Sequence, residues 1–230
     1  MYNRPVRPLN NGKVRKITMR KSEIIIIAFV LVSFLMGIYF YPQMPENVAS
    51  HWNASGEVDG YMSRFWGVFF MPIMLIGIAL IFILIPRIDP LKHNIEQFRK
   101  HFDVFIILMF VFMLALYLQT ILWNLGIHIS PNATLPVGIG LLFFYTGILV
   151  ENAKMNWSIG IRTPWTLSSE VVWDKTHKIG GKLFKIAGLI GLIGIFFQPY
   201  AVYFILIPAL SVALITVVYS YIAYKQLGKS

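Results

Sequence analysis

Residues 65–123 read FWGVFFMPIMLIGIALIFILI-PRIDPLKHNIEQFRKHFD-VFIILMFVFMLALYLQTILW. Two apolar runs, Phe65–Ile85 and Val104–Trp123, flank a loop that carries four Lys and Arg residues. About 20 apolar residues are enough to cross the hydrocarbon core of a bilayer as a helix. Lys and Arg collect in cytoplasmic loops. The stretch therefore predicts two transmembrane helices joined on the cytoplasmic side.

The same pattern continues along the chain in both directions. With both termini inside, nineteen of the twenty Lys and Arg residues fall on the cytoplasmic side, and Arg64 alone falls outside. The sequence therefore predicts an all-α, polytopic membrane protein with six transmembrane helices, N-in and C-in. The four remaining apolar runs are Ile24–Tyr41, Leu135–Val150, Leu183–Phe197 and Tyr200–Tyr221.

Composition supports this class of protein and excludes others. Hydrophobic residues make up 57% of the chain and charged residues only 13%, far from the values of a soluble domain. The net charge of +10 is explained by attraction to anionic lipid of the inner leaflet. Membrane lipid, and not nucleic acid, is therefore the expected partner of the basic segments. The absence of cysteine excludes disulfides and thiolate chemistry.

The polar residues divide the chain into four parts. Residues 1–22 form a basic cytoplasmic tail. Residues 23–150 hold four transmembrane helices with an outer loop at 42–64. Residues 151–182 form a cytoplasmic loop with an interfacial helix, and residues 183–230 hold the last two helices and a short tail. Gly188, Gly191 and Gly194 are spaced to give a packing seam inside the chain.

No Asp, Glu, Lys, Arg or His lies near the middle of an apolar run. Ion-coupled transporters usually hold an ionisable group there, so this pattern argues against them. A transporter or channel for a small or amphipathic solute is the alternative function, in a form lined by hydroxyl and amide groups.

The outer loop contains the sequence PENVASHWNASGEVDGY over residues 45–61. Gly56 and Asp59-Gly60 favour turns, while Trp52 and Tyr61 are suited to a membrane interface. A structured turn with polar side chains that cap one another accounts for this composition. A binding surface would use the same residues.

Three side chains of the outer loop contain groups that bind metal ions: His51, Glu57 and Asp59. The spacing matches no calcium loop, because the later bidentate Glu is missing. A polar turn is favoured over a metal site, and a metallohydrolase built on this trio is the third class of function considered. No catalytic residue, metal or cofactor is predicted.

The inner loop, residues 152–182, contains three of the six tryptophans together with several lysines. Residues from Leu167 onward predict a helix with Thr166 as its N-cap. Trp173 and His177 would share one face of this helix. Such a composition is typical of a helix lying in the membrane interface. A cytoplasmic docking surface, or a plug beneath the helix bundle, is the functional interpretation.

Both loops resemble parts of a known family. The outer pattern Pro-x(5)-His-Trp-Asn-x-x-Gly-x-x-Asp-Gly-Tyr resembles an uncharacterised bacterial and archaeal membrane domain. The inner sequence NWSIGIRTPWTLSSE, residues 156–170, with the Trp, His and Gly-Gly that follow it, resembles the signature of the SdpI immunity family. The two motifs occur together in that family.

The resemblance implies a multi-pass protein in the plasma membrane of a prokaryote that gives resistance to a secreted antimicrobial peptide toxin without enzymatic activity. Members of the family also act as signal receptors that hold a cytoplasmic transcriptional repressor at the membrane when toxin engages outside. Here the outer loop would meet the peptide toxin and the inner loop the repressor, with no direct contact to nucleic acid.

The candidate site residues belong to the two motifs. The outer-loop binding residues are Pro45, His51, Trp52, Asn53, Gly56, Asp59, Gly60 and Tyr61. The cytoplasmic-loop residues are Asn156, Gly160, Arg162, Thr163, Pro164, Trp165, Thr166, Ser169, Trp173, His177, Gly180 and Gly181.

Overall fold

The computed structural model describes residues 19–228. The basic tail predicted over residues 1–22 lies outside these residues except for its last four, of which Lys21 and Ser22 already belong to the first helix. The elements in chain order are α1 (Lys21–Phe40), β1 (Asn47–Trp52), β2 (Val58–Ser63), α2 (Arg64–Ile88), α3 (Lys92–Gln97), α4 (Arg99–Asn124), α5 (Pro131–Asn152), α6 (Pro164–Ser168), α7 (Glu170–Ile193) and α8 (Ala201–Leu227).

The predicted all-α membrane fold is confirmed. Five helical stretches within residues 19–228 are long and apolar enough to cross a membrane, and the last of them is the 58-residue stretch Glu170–Leu227. This stretch includes α7, the 3₁₀ segment Gly194–Tyr200 and α8, and the backbone at Phe197 is not helical. The described chain therefore has six long helices, while their number and orientation as membrane spans stay predictions.

Helices α7 and α8 lie antiparallel. A Cβ on Gly194 would lie 2.9 Å from the Phe204 side chain, and one on Gly180 would lie 3.3 Å from Thr216. The later residue of the first helix region thus contacts the earlier residue of α8, as in an antiparallel pair. Gln198 and Pro199 belong to the 3₁₀ segment that links these helices.

Helix α7 begins earlier in the chain than the sequence predicts for a transmembrane helix. A separate interfacial helix was expected before a span beginning at Leu183, whereas α7 runs without interruption from Glu170 to Ile193. Gly180 and Gly181 do not break it, since both are buried against neighbouring elements. The segment predicted to lie in the interface is therefore the first half of α7.

Helix α4 is the centre of the first half of the bundle. Its aromatic and aliphatic side chains pack against α1 and α2, and Phe29 of α1 stacks on Phe110 with ring centroids 6.5 Å apart. A second cluster toward the opposite end contains Tyr117, whose hydroxyl donates to the Val68 carbonyl of α2 at 2.9 Å.

Charged side chains join the ends of α1, α2 and α4. Glu23 is buried and accepts two hydrogen bonds from the Arg87 guanidinium, at 2.8 and 2.9 Å. The buried Arg99 lies 3.8 Å from Glu23 and donates to Asp103 at 2.7 Å. Removing one partner of a buried ion pair is costly because it leaves an uncompensated charge. The cluster therefore holds the three helix ends together.

Glycines bring the backbones of α5 and α7 into direct contact. A Cβ on Gly188 would lie 2.5 Å from the Phe144 amide nitrogen and 2.6 Å from the Gly140 carbonyl oxygen. Likewise, a Cβ on Gly147 would lie 2.5 Å from the Gly181 carbonyl oxygen. Small residues permit this approach where lipid supplies no hydrophobic force between helices.

The packing seam predicted at Gly188, Gly191 and Gly194 is present within the chain. Gly191 faces the Gly140 backbone of α5, and Gly194 faces Phe204 of α8.

We expect Gly188→Ala to lower the free energy of unfolding by about 1–3 kcal/mol or to prevent folding, because a methyl group placed against backbone atoms leaves no flexible neighbour to move. Thermal unfolding of the detergent-purified protein measures this change. Gly77→Ala is the matched control, since nothing lies within 4 Å of a Cβ at that position. Equal stability of the two variants would contradict the close contact.

Candidate functional site

Two structured segments occupy opposite ends of the bundle. The β-hairpin Asn47–Ser63 lies at one end, which we call the hairpin face. Residues 153–169 lie at the other end with the Glu23 cluster, and we call this end the basic face. The sequence predicts that the hairpin face is outside and the basic face inside.

The outer loop forms an antiparallel hairpin, which the sequence did not predict. Asn47 pairs with Ser63 and Trp52 with Val58, with an irregular register between Ala49 and His51. A hairpin this small is marginal by itself in water. It therefore depends on contacts with the helices.

Two asparagine side chains attach the hairpin to the bundle. Asn124, at the end of α4, accepts from the Ala49 amide at 2.8 Å and donates to the Ala49 carbonyl at 3.0 Å. Asn132, at the start of α5, donates to the Ala54 carbonyl at 3.0 Å. The Asn124 amide thus pairs with β1 as a neighbouring strand would.

The hairpin turn is organised by Asn53. Its side-chain oxygen accepts from the amides of Ser55 and Glu57 at 2.9 and 3.0 Å, and its nitrogen donates to the Glu57 carboxylate at 3.2 Å. Gly56 has φ +83°, a conformation that glycine adopts without strain. Asn53 and Gly56 therefore shape the turn. The sequence likewise predicts a structured turn whose polar side chains cap one another.

The exposed residues of the hairpin include His51, Asp59 and Tyr61. The His51 Nδ1 atom lies 2.5 Å from Asp59 Oδ1, and the His51 side chain is 71% exposed. Tyr61 is 64% exposed. Gly60 pairs with His51, and a Cβ there would lie 2.9 Å from the histidine Cβ. Pro45 is exposed at the base of the hairpin, where its carbonyl accepts from Arg64 at 3.4 Å.

The trio considered for a metal does not come together. His51 binds Asp59, whereas Glu57 is turned toward Asn53. Across residues 19–228, no group of three or more His, Cys, Asp or Glu side chains is placed to hold a metal ion.

A cavity of about 350 Å³ lies between the hairpin, α4 and α5. Trp52 lines it and packs edge-on against Trp123, with centroids 5.5 Å apart. Among residues 19–228, the Trp52 Nε1–H is buried without a hydrogen-bond acceptor. Gln119 of α4 closes one wall by accepting from Thr134 at 2.6 Å. The cavity therefore combines apolar walls with a few polar groups, as small binding sites do.

On the basic face, Asn156 organises the loop. It is fully buried, and its oxygen accepts from the amides of Ser158 and Ile159 at 2.9 and 2.6 Å. Its nitrogen donates to the carbonyls of Lys154 and Ile159, both at 2.8 Å. The buried Asp89, after α2, accepts from Ser158 at 2.5 Å and so ties the loop to the first half of the bundle.

Trp173 and His177 form the support beneath this loop. Their rings stack with centroids 3.9 Å apart, and Trp173 Nε1 donates to the Ala153 carbonyl at 2.8 Å. His177 Nδ1 donates to the Trp173 carbonyl at 2.8 Å, while Nε2 accepts from the Ile161 amide at 3.0 Å. Because Nε2 accepts, His177 is the neutral Nδ1–H tautomer.

Gly160 covers this stacked pair. It has φ +123°, and a Cβ there would lie 2.4 Å from His177 Nε2. Both observations require glycine at this position. Gly180 and Gly181 serve the same packing, the first beneath Ile161 and the second against Glu151 of α5.

The capping of α6 and α7 corrects the sequence interpretation. Thr163 caps α6, which begins at Pro164, and Ser169 caps α7 by accepting from the Val172 amide at 3.4 Å. Thr166, predicted as the N-cap, is instead buried inside α6 and accepts from the Thr163 amide at 2.9 Å. The sequence predicts one continuous helix here because no Pro or Gly separates Leu167 from Glu170.

A small part of the inner motif is exposed. Trp157 is 55% exposed, Arg162 donates to its carbonyl at 2.8 Å, and Pro164 is exposed beside them. Trp165 packs on Tyr221 of α8 with centroids 5.1 Å apart. Ser168 and Glu170 are also exposed, and the remaining motif residues are wholly or partly buried and hold the loop in place.

Sequence reasoning missed the three residues that fasten the segments, namely Asp89, Asn124 and Asn132. Each lies outside both motifs, just beyond an apolar run. A polar side chain at such a boundary was an available signal, but its distant partner could not be read from the sequence.

These features define a multi-pass α-helical membrane protein with a structured segment at each end of the bundle. Residues 28–76 match the model of a domain of unknown function, DUF1648, and residues 152–220 match that of the SdpI/YfhL protein family. The chain is 27% identical over 211 residues to the immunity protein SdpI of Bacillus subtilis, covering 91% of this chain and 99% of that protein. No solved structure matches. The predicted resemblance to the SdpI family is confirmed by these matches, and together with the long apolar helices they support a multi-pass membrane protein of a bacterium.

We expect Asn156→Ala to loosen residues 153–169, because it removes four hydrogen bonds between a buried side chain and the loop backbone, at about 1 kcal/mol each. Limited proteolysis of the purified protein should cleave this loop faster. Asn152→Ala is the control, since the Asn152 side chain is exposed and its one hydrogen bond within residues 19–228 goes to the Ile148 carbonyl. Equal cleavage of both variants would show that Asn156 does not hold the loop.

Proposed function

We propose that this chain is a membrane immunity protein that gives its cell resistance to a secreted antimicrobial peptide toxin. The observation that carries the proposal is the match to the Bacillus subtilis immunity protein SdpI over nearly the full length of both chains. Both family models fall on the two structured segments, which supports a shared architecture.

Toxin binding at the hairpin face is the proposed mechanism. His51, Asp59 and Tyr61 project from a hairpin that two asparagines hold on the helix ends. A rigid, exposed tyrosine beside a polar pair is a typical anchor of protein interfaces. Resistance then follows from binding, because a captured toxin cannot assemble in the membrane, and no catalytic step is needed.

The cavity behind the hairpin would receive an apolar side chain of the toxin. Its walls include Met71, Leu116 and Leu135 together with Trp52. The unpaired indole N–H of Trp52 is costly while it stays buried without an acceptor. A peptide carbonyl brought into the cavity would satisfy it, and such a gain favours the bound state.

The receptor role is the second half of the proposal. Trp157 and Arg162 are among the exposed motif residues of the basic face, and they would contact a cytoplasmic repressor. Helix α5 would connect the two faces, since Asn132 at its start binds the hairpin and Ala153 at its end accepts from Trp173. His177 is buried in the packing beneath the loop and lies outside the proposed docking surface.

We expect Tyr61→Ala and His51→Ala to lower protection about tenfold, as the loss of an interface anchor does, without lowering the amount of folded protein. Survival is measured in a toxin-sensitive bacterium that expresses the chain and is challenged with the Sdp-type peptide or with unrelated pore-forming peptides.

The control is Tyr39→Ala, which removes an exposed tyrosine outside the hairpin. Wild-type protein present in the membrane but giving no protection against the Sdp-type peptide would contradict the proposed immunity. Full protection by both hairpin variants would contradict the assigned surface.

We expect Trp157→Ala and Arg162→Gln to weaken repressor recruitment while leaving protection intact. A reporter gene under the repressor measures the first effect, and the survival assay measures the second. Equal loss of signalling and protection would contradict separate surfaces for the two partners.

A further inference from the structure

A cleft of about 530 Å³ lies on the basic face, between the end of α5 and the first half of α7. Its lining includes Lys154, Lys178 and Lys182, and all three are exposed. Neither the inner loop's packing nor its proposed docking surface uses the side chains of these lysines.

The cleft has an excess of unpaired positive charge. Within residues 19–228, the three ammonium groups make no ion pair with any carboxylate. Of the acidic residues that line the cleft, Glu151 is already paired with Lys185 at 2.5 Å, so only Asp174 opposes the lysines. An anion in this cleft would therefore meet more attraction than repulsion.

The face of α7 that carries the lysines continues as an apolar stripe. Residues that follow one another at spacings of three or four lie on one side of a helix. Along α7 this exposed side reads Lys175, Lys178, Lys182, Ile186, Leu189 and Ile193. The composition thus changes from basic to apolar along the helix axis, not around it.

We propose that this cleft binds the phosphate headgroup of an anionic phospholipid, whose acyl chains lie along the apolar stripe. A phosphate between Lys154 and the two lysines of α7 would sit at the level where the stripe enters hydrocarbon. Basic pockets between membrane helices on the cytoplasmic side bind anionic headgroups in this way. The apolar continuation selects a lipid over a free phosphate ion, and the site is independent of the proposed immunity.

The test compares two triple variants of the full chain. The first removes the cleft lysines by Lys154→Gln, Lys178→Gln and Lys182→Gln. The second, a control of equal charge change, removes exposed lysines elsewhere at the same end by Lys21→Gln, Lys92→Gln and Lys100→Gln. Native mass spectrometry counts phosphatidylglycerol or phosphatidylcholine of equal chain length bound to the detergent-purified protein. Inorganic phosphate and glycerophosphoglycerol serve as competitors.

We expect the cleft variant to lose about tenfold or more in affinity for phosphatidylglycerol, with little change in the control variant and in phosphatidylcholine binding. An equal loss in both variants would overturn the site, because it would reflect overall charge. Displacement of the lipid by inorganic phosphate or glycerophosphoglycerol at equal concentration would show an anion site that does not recognise lipid. If the triple variant does not fold, Lys178→Gln alone should still weaken binding severalfold, and unchanged binding would overturn the proposal.

Discussion

The backbone contact between α5 and α7 is the constraint on which both ends of the molecule depend. Helix α5 begins beside the hairpin at Asn132 and ends beside the inner loop at Asn152. Helix α7 carries Trp173 and His177, which support that loop. Because Gly140, Gly147, Gly181 and Gly188 let the two helices touch, the residues at one end of α5 have a fixed position relative to those on α7.

Short polar side chains do the fastening at both faces. An Asn amide has a donor and an acceptor at the spacing of a backbone peptide group, so Asn124 can pair with β1 and Asn156 can complete the turns of the inner loop. Buried backbone groups outside helices and strands need such partners. This need explains how two irregular segments remain ordered beside the apolar part of the bundle.

The sequence could predict the features that depend on local composition. Apolar runs gave the long helices, and the glycine spacing gave the seam on α7, because both are periodic along the chain. The sequence does not predict the hairpin because its strands show no regular alternation of apolar and polar residues. In addition, Asn124, which binds the hairpin, is 75 residues from Ala49. The sequence misplaces the start of α7 because Thr and Ser are both N-cap residue types. The structure distinguishes them, since Thr166 is buried and donates to the Ile161 carbonyl at 2.8 Å.

Within each motif, exposed residues and residues that hold the backbone have different roles, and a motif match does not distinguish them. Exposure separates His51, Asp59 and Tyr61 from Asn53 and Gly56, although all five belong to one motif. A sequence motif contains both the residues that can bind a partner and the residues that only maintain the backbone conformation.

The contacts that support the inner loop, such as neutral His177 beneath Gly160, are separate from its exposed side chains. The stacked ring, the glycine and the buried threonines fix the path of the backbone without using Trp157 or Arg162. Replacing those two exposed side chains leaves every supporting contact in place except the bond from Arg162 to the Trp157 carbonyl. The loop can therefore acquire a different partner by surface substitution alone, and two proteins with the same inner motif share a scaffold without having to share a ligand.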